Sequence, residues 1–258
     1  MTHTTTLNKM NMIRPIIIHQ PVVKAQDKEK PILVMQRYEL KYILDAQQLE
    51  YLKKCLEGHM QVDSFGKTSI ASLYYDTPNK LLIRRSLEKP AFKEKIRLRS
   101  YGLAAENSPV YLELKRKAYG IVYKRRVKTT MDAANKFFAG ENDDFGGGQI
   151  NREITAFRNT YKDLEESCLI IYDRTAYFEP QGDLRLTIDE NPRYRTDDLR
   201  LDYSMDATSL LPEGSAILEI KVQDAMPLWL TKILSQGKIY KTSFSKYGEA
   251  YRRQFLKI

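Results

Sequence analysis

The chain has 258 residues, of which 42% are hydrophobic, with 17 Tyr and 9 Phe, enough to build one large domain or two small ones around a real core. Lys and Arg outnumber Asp and Glu by 42 to 33, which points to an anionic partner without saying which one. No apolar run approaches the ~18 residues that span a bilayer, and Cys55 and Cys168 belong to no metal-ligand spacing and suit a reducing compartment. The expectation is a cytoplasmic protein without membrane insertion.

Residues 1–30 mix Thr, Asn, Lys, Gln and Met without a sustained period; they read as a flexible tail, with room for a short strand at 16–23. Residues 31–258 read as a single domain. RYELKYIL (37–44) alternates, with Arg37, Glu39, Lys41 and Ile43 on one side and Tyr38, Leu40, Tyr42 and Leu44 on the other. Asp45 is placed to cap a helix through Leu56, whose Leu49, Leu52 and Leu56 form a buried stripe, and Gly58 follows as a stop. Strands are expected at 69–77, 92–102, 110–117 and 121–129, the last two joined by a hairpin at 118–120. Helices are expected near 132–139 and 151–165, separated by DDFGGG, which lacks the P-loop pattern and reads as a connection. Strands resume at 169–179, 183–190 and 216–222, and the chain ends in helices at 227–236 and 245–258.

FKEKIRLRSYG (92–102) places Lys93, Lys95, Arg97 and Arg99 at every second position, so one face of the strand is all cation. The other strands repeat the feature. Their charged faces collect Arg37, Lys41, Lys93, Lys95, Arg97, Arg99, Lys115, Lys117, Lys124, Arg126, Lys128, Arg174, Arg185 and Lys221, against Glu39, Glu113, Asp189 and Glu219. A half-buried sheet facing water is the plainest reading of any one strand. It weakens for the set, because one sign dominates strand after strand and like charges directly opposite one another are destabilising. If the sheet closes on itself, the cations line a wet channel made for a polyanion, and amphipathic helices at 45–56, 151–165 and 227–256 cover the apolar outside. A dry interior could not hold these charges. Glu39 and Glu219, set among cations, suit Mg2+ or Mn2+, which takes one or two carboxylates plus phosphate oxygens; pairing with a neighbouring Lys or Arg is the equal alternative.

The ordered set RYELKY, YYDT, KIRLRSYG, VYLELKRK, YKRR, YDRTAYF, LRLTID, ILEIKV and FSKYG resembles the VTC domain, the polyphosphate polymerase domain of vacuolar transporter chaperone complexes and a member of the triphosphate tunnel metalloenzyme (CYTH-like) superfamily. The resemblance covers roughly residues 34–254. It implies an α+β fold: an eight-stranded antiparallel β-barrel tunnel with a basic interior and helices packed outside. It also implies a phosphate grip made by Lys41, Arg97, Arg99, Lys115, Lys124, Arg126, Arg174 and Arg185, with Lys246 closing one end from the C-terminal helix. Arg37, Lys95 and Lys221 join the substrate-binding set, Tyr172 packs against the ligand, and Glu219 with Glu39 holds the metal. The superfamily's first strand reads ExExK, whereas Arg37 stands at the first Glu position here, as in the VTC branch.

The activity implied is transfer of the γ-phosphate of ATP to a growing inorganic polyphosphate chain, dependent on Mn2+ or Mg2+. Hydrolysis of tripolyphosphate or a nucleoside triphosphate in the same tunnel, with Glu39, Glu113 or Asp189 as base, is the alternative, and a non-catalytic polyphosphate-binding module is the third reading. His3, His19 and His59 occupy no catalytic position. Nucleic acid ranks low as a partner, because the aromatics Tyr38, Tyr42 and Tyr111 are scattered over both faces and no nucleic-acid motif is present. No oligomeric state follows from the sequence.

Overall fold

Alternation in the sequence becomes one long antiparallel sheet. The computed structural model describes residues 38–256 except 106–107, 120, 145–147 and 224; the expected tail at 1–30, the short strand at 16–23 and Arg37 lie outside the described residues. In chain order come β1 (Tyr38–Leu44), α1 (Ala46–Leu56), β2 (Gln61–Asp76), α2 (Leu81–Leu87), β3 (Phe92–Tyr101), β4 (Val110–Ala118) and β5 (Ile121–Thr129). These are followed by α3 (Met131–Phe138), α4 (Gly148–Thr160), β6 (Glu165–Phe178), β7 (Arg185–Arg195), β8 (Thr208–Ser209) and β9 (Ala216–Val222). Last come α5 (Leu228–Gln236), β10 (Lys241–Thr242) and α6 (Lys246–Tyr251), which runs on into a π-helical turn, Arg252–Leu256.

The strands follow the order β10-β1-β9-β7-β6-β2-β3-β4-β5, with β8 beside β7. The architecture is therefore α+β, but the closed eight-stranded barrel needs correcting: among the described residues there are ten strands, and no ladder joins β5 to β10. The reason lies at the two edges. β10 has only two residues, and β5 carries Lys124, Arg125, Arg126 and Lys128 along its length, a charged edge that discourages further pairing.

Two apolar cores cover one side of the sheet. Leu73, Ile96, Leu98, Leu112 and Leu114 pack with Phe137 of α3 and with Ile154 and Phe157 of α4. Leu44, Leu186, Leu218 and Ile220 pack with Leu49, Leu52 and Leu56 of α1 and Leu230 of α5. Each such side chain contributes about 1.5–3 kcal/mol on burial. Asp45 caps α1 as the sequence suggests: its Oδ1 accepts from Gln48 N at 2.8 Å, and Gln48 Oε1 accepts from Asp45 N at 3.2 Å.

The C-terminal helix departs from the reading of 227–256 as an outer cover. Rather than covering the outer face, α6 lies on the charged side, where Tyr247 and Ala250 pack with Ile70, Cys168, Ile170 and Tyr172. Its seat is made by α2, a helix the sequence reading did not anticipate. The fully buried Asp76 accepts from Leu82 N and Ile83 N at the start of α2 and from the Tyr247 hydroxyl at 2.8 Å. Gly248 permits the close approach, since a Cβ there would meet Leu87 Cδ2 at 2.9 Å.

Candidate functional site

The inner face is organised by three buried carboxylates. Glu113 on β4, 1% exposed, gathers four cations. Arg97 Nε and Nη2 lie 2.8 and 2.7 Å from its Oε2, Arg99 Nε 3.6 Å from the same oxygen, and Lys124 Nζ and Arg126 Nε 2.7 and 3.4 Å from Oε1. The register explains the gathering: Glu113 stands opposite Arg97 on β3 and Arg126 on β5. Burial alone would raise its pKa, but Arg97, Arg99 and Lys124 outweigh burial and hold it at about 2.

Asp189 on β7 is fully buried. It receives a bidentate fork from Arg174 of β6, Nε to Oδ1 at 2.6 Å and Nη2 to Oδ2 at 2.7 Å, and Lys246 Nζ from the first turn of α6. Glu219 on β9 lies 2.9 Å from Lys41 Nζ and 3.6 Å from Arg174 Nη2. Burial pushes Glu219 up, yet Lys41, Lys246 and Arg174 outweigh it and hold the carboxyl well below its ordinary range. Neither Glu113 nor Asp189 is thereby suited to act as a general base.

These contacts run round the whole inner face. Lys95 of β3 donates to Ser245 Oγ, the N-cap of α6, at 3.1 Å. The next residue, Lys246, grips Asp189; Asp189 holds Arg174; Arg174 reaches Glu219; Glu219 pairs with Lys41. Glu39, 3.5 Å from Lys41 Nζ, is also 3.5 Å from Lys115 Nζ, and Lys115 stands opposite Lys95. Side chains thus bring the two ends of an open sheet together.

Aromatic rings floor the ring of charges. Arg99 Nη2 donates to the Tyr172 hydroxyl at 3.3 Å, and Lys246 Nζ sits 4.3 Å from the centre of that ring. Burial raises the Tyr172 pKa, but Arg174 and Arg99 more than reverse it. Arg97 Nη1 donates to the Tyr74 hydroxyl at 2.8 Å, and Tyr74 stacks on Tyr247 at 4.6 Å. Arg126 lies 3.8 Å over the Tyr111 ring.

A family model for the VTC domain matches residues 36–255, nearly the whole chain. The chain belongs to the VTC domain family. No curated protein matches it. Among solved structures, a candidate adenylate cyclase from Bacillus halodurans superposes with a TM-score of 0.53 at 13% identity, covering 86% of this chain and 100% of the other; at that identity the likeness shows a shared fold. HpAC1 of Hippeastrum, a candidate adenylyl cyclase with a dominant triphosphatase activity, matches at 17% identity and a TM-score of 0.49, covering 84% of this chain and 94% of the other.

Within this VTC domain, Lys41, Arg97, Arg99, Lys115, Lys124, Arg126, Arg174, Lys221 and Lys246 share the inner face with Lys95 and Tyr172. Arg185 stands apart. It is opposite Lys221, but its guanidinium donates to the carbonyls of Gly182 and Leu184 near the rim. Arg37 falls outside the described residues. The sequence reading missed Tyr74, Ser245 and Tyr247. Period-2 parity would have put Tyr74 on a face with Ser72, but only the pairing of Tyr74 with Arg97 shows that this is the inner one.

The carboxylates also define what a metal could find. Glu39 stands opposite Lys221 and Glu219 opposite Lys41, so the two are diagonal cross-strand neighbours on one face, a separation of roughly 7–8 Å. Glu219 is close enough to Glu39 to oppose its ionisation. Among the described residues no group of three or more His, Cys, Asp or Glu comes together. An all-oxygen pair of this kind fits a hard cation whose remaining ligands are phosphate oxygens and water. No helix among the described residues is long and apolar enough to cross a membrane.

Proposed function

We propose that this VTC domain binds ATP and inorganic polyphosphate or triphosphate in a basic tunnel formed by the curled sheet, and transfers the γ-phosphate to the end of a growing polyphosphate chain. The observation that carries the reading is the convergence of Lys41, Lys95, Arg97, Arg99, Lys115, Arg174 and Lys246, from four inner-face strands and a helix end, on one concave face with fewer carboxylates than cations. Such an excess is unfavourable until a polyanion occupies the face.

Arginines supply bidentate contacts to phosphate oxygens and lysines point charges. Arg97, Arg99, Arg174 and Lys246 neutralise charge on the transferred group, and Lys124, Arg126 and Lys221 hold the flanking phosphates. Glu219 and Glu39 would hold Mn2+ or Mg2+, which when bound neutralises and orients phosphate oxygens. The nucleophile is a terminal phosphate oxygen already ionised at neutral pH, so positioning and charge neutralisation carry the reaction and no protein base is needed. That matches a site whose most buried carboxylates are tied up by cations.

Incubation with ATP and Mn2+, followed by electrophoresis for polyphosphate, tests the proposal. Long chains support it. Orthophosphate as the sole product makes the domain a hydrolase, and tight binding without turnover under any divalent metal makes it a binding module.

A further inference from the structure

Near the start of β2 its ladder with β6 breaks. Val62 stands opposite Tyr177 and Lys67 opposite Thr175, so residues 63–66 bulge out against the single position Ala176. Gly66 turns the chain back at φ +60°, and Asp63 Oδ1 accepts from Phe65 N at 3.0 Å. Phe65 is left 80% exposed on the bulge, a device that re-aims side chains beside a site. Next to it is an open hollow of about 440 Å³, lined by Asp63, Ser64, Ala176, Tyr177, Phe178 and Arg185. Ala176 stands opposite Thr187 and Phe178 opposite Arg185, in register with the Arg174–Asp189 pair. These four side chains therefore continue the inner face to its rim.

Two observations point to a ligand there. The Arg185 guanidinium lies 5.6 Å from the centre of the Phe178 ring. Its Nη1 is held by the Gly182 and Leu184 carbonyls, and Nε and Nη2 make no hydrogen bond among the described residues. Thr187 is 7% exposed, and its Oγ1 has no hydrogen-bond partner among the described residues. A buried hydroxyl of that kind is unfavourable until a ligand pairs with it.

We propose that the hollow holds the base of a nucleoside triphosphate, stacked on Phe178 and Arg185 and covered by Phe65, with the sugar hydroxyls at Thr187. This inference rests on the proposed function and names how the donor nucleotide is told from a bare phosphate chain. The spacing fits. Phe178 lies roughly 14 Å along β6 from Arg174, so phosphates gripped at Arg174 leave the sugar level with Thr187 and the base at the rim. Charge argues the same way. Arg185 and Asp63 are the only charged residues lining the hollow, so it has no excess of cations for further phosphate. Rings and a planar guanidinium instead present faces for stacking, and Asp63 offers an acceptor to a base amino group. The volume falls within the roughly 300–1,000 Å³ of small-molecule sites.

The test titrates wild type, Phe65→Ala and Thr187→Val, each as the full chain, with ATP and with tripolyphosphate at matched ionic strength. Phe65 is exposed and the Thr187 hydroxyl is unpaired, so both variants should melt no lower than wild type. Phe65→Ala should lose about tenfold for ATP and Thr187→Val about fivefold, with no measurable change for tripolyphosphate. The triphosphate of 2-aminopurine riboside, whose fluorescence is quenched by stacking, should dim on binding wild type and dim less with Phe65→Ala. Unchanged ATP affinity in either variant, equal losses for both ligands, or no quenching by wild type would overturn the base pocket while leaving the proposed function standing. Wild type binding neither ATP nor tripolyphosphate would overturn both.

Discussion

Lys115 on β4 and Glu39 on β1 bring Nζ and Oε2 to 3.5 Å, although β9, β7, β6, β2 and β3 stand between their strands. The pair marks how far the sheet curls. It does not staple it: both side chains are partly exposed, at 46% and 24%, and such pairs are worth about 0–1 kcal/mol. Glu39→Gln is therefore expected to change stability by less than about 1 kcal/mol, to keep or strengthen metal-free tripolyphosphate binding, and to lose the metal dependence of turnover. Thermal melts, calorimetry and a Mn2+ titration check the three; unchanged metal dependence would remove Glu39 from the metal site.

Glu113 is a different case. It is buried and serves four cations, so Glu113→Gln leaves them uncompensated, and a loss of about 3–5 kcal/mol is expected. Tripolyphosphate should then raise the melting temperature of the variant more than that of wild type. The acid limb gives a second readout. The carboxyl is held at about 2 in the folded chain against an ordinary 4.5, so its contribution is fully present above the unfolded value and is lost as pH falls through the folded one. Wild type should lose stability from about pH 4.5 toward pH 2 along a steeper curve than the variant.

Lys95 titrates the other way. Its folded pKa of about 7 lies below the ordinary 10.5, so between those values the unfolded chain carries a proton that the folded chain lacks. Stability of the free protein should rise with pH across that window. A polyanion restores the charge, so binding at pH 8 takes up protons and binding at pH 6 does not. Lys124, held at about 8 by burial against the partial offset of Glu113, adds to the uptake at higher pH. Calorimetry in buffers of different ionisation enthalpy reads the proton count, and Lys95→Met should lower it at pH 8.

Glu219→Gln is expected to spare triphosphate binding and abolish metal-dependent turnover, at a cost of about 1–3 kcal/mol from the loss of a buried partner for Lys41 and Arg174. Metal-dependent turnover at the wild-type rate would place the metal elsewhere.

Much of this site is legible in the sequence. The period of two in FKEKIRLRS and VYLELKRK assigned each lysine and arginine a face, because a strand leaves a side chain only two directions. What was not legible came from distance along the chain. The hub at Glu113 depends on register with Arg97 and Arg126, and Asp189 meets Lys246 only because α6 crosses the inner face. Nothing local distinguishes the apolar stripe of α6, with Tyr247 and Ala250, from that of a helix covering the outside. Its position is decided by Asp76 and Leu87, far away in sequence. The open edge was equally hidden, since β10 is a two-residue strand with no period to read.

The central claim is that the inner-face cations exist to hold condensed phosphate, and Arg97 tests it most cleanly. Removing Arg174 strands the fully buried Asp189 with Lys246 alone and mixes folding with binding, whereas Glu113 keeps Arg99, Lys124 and Arg126 when Arg97 is lost. Calorimetric titration of wild type and Arg97→Ala with tripolyphosphate is expected to show one saturable, salt-sensitive site in the first and a loss of at least a hundredfold in the second, with melting still cooperative. Equal affinity in the two proteins, or no heat from wild type at low salt, would contradict the account.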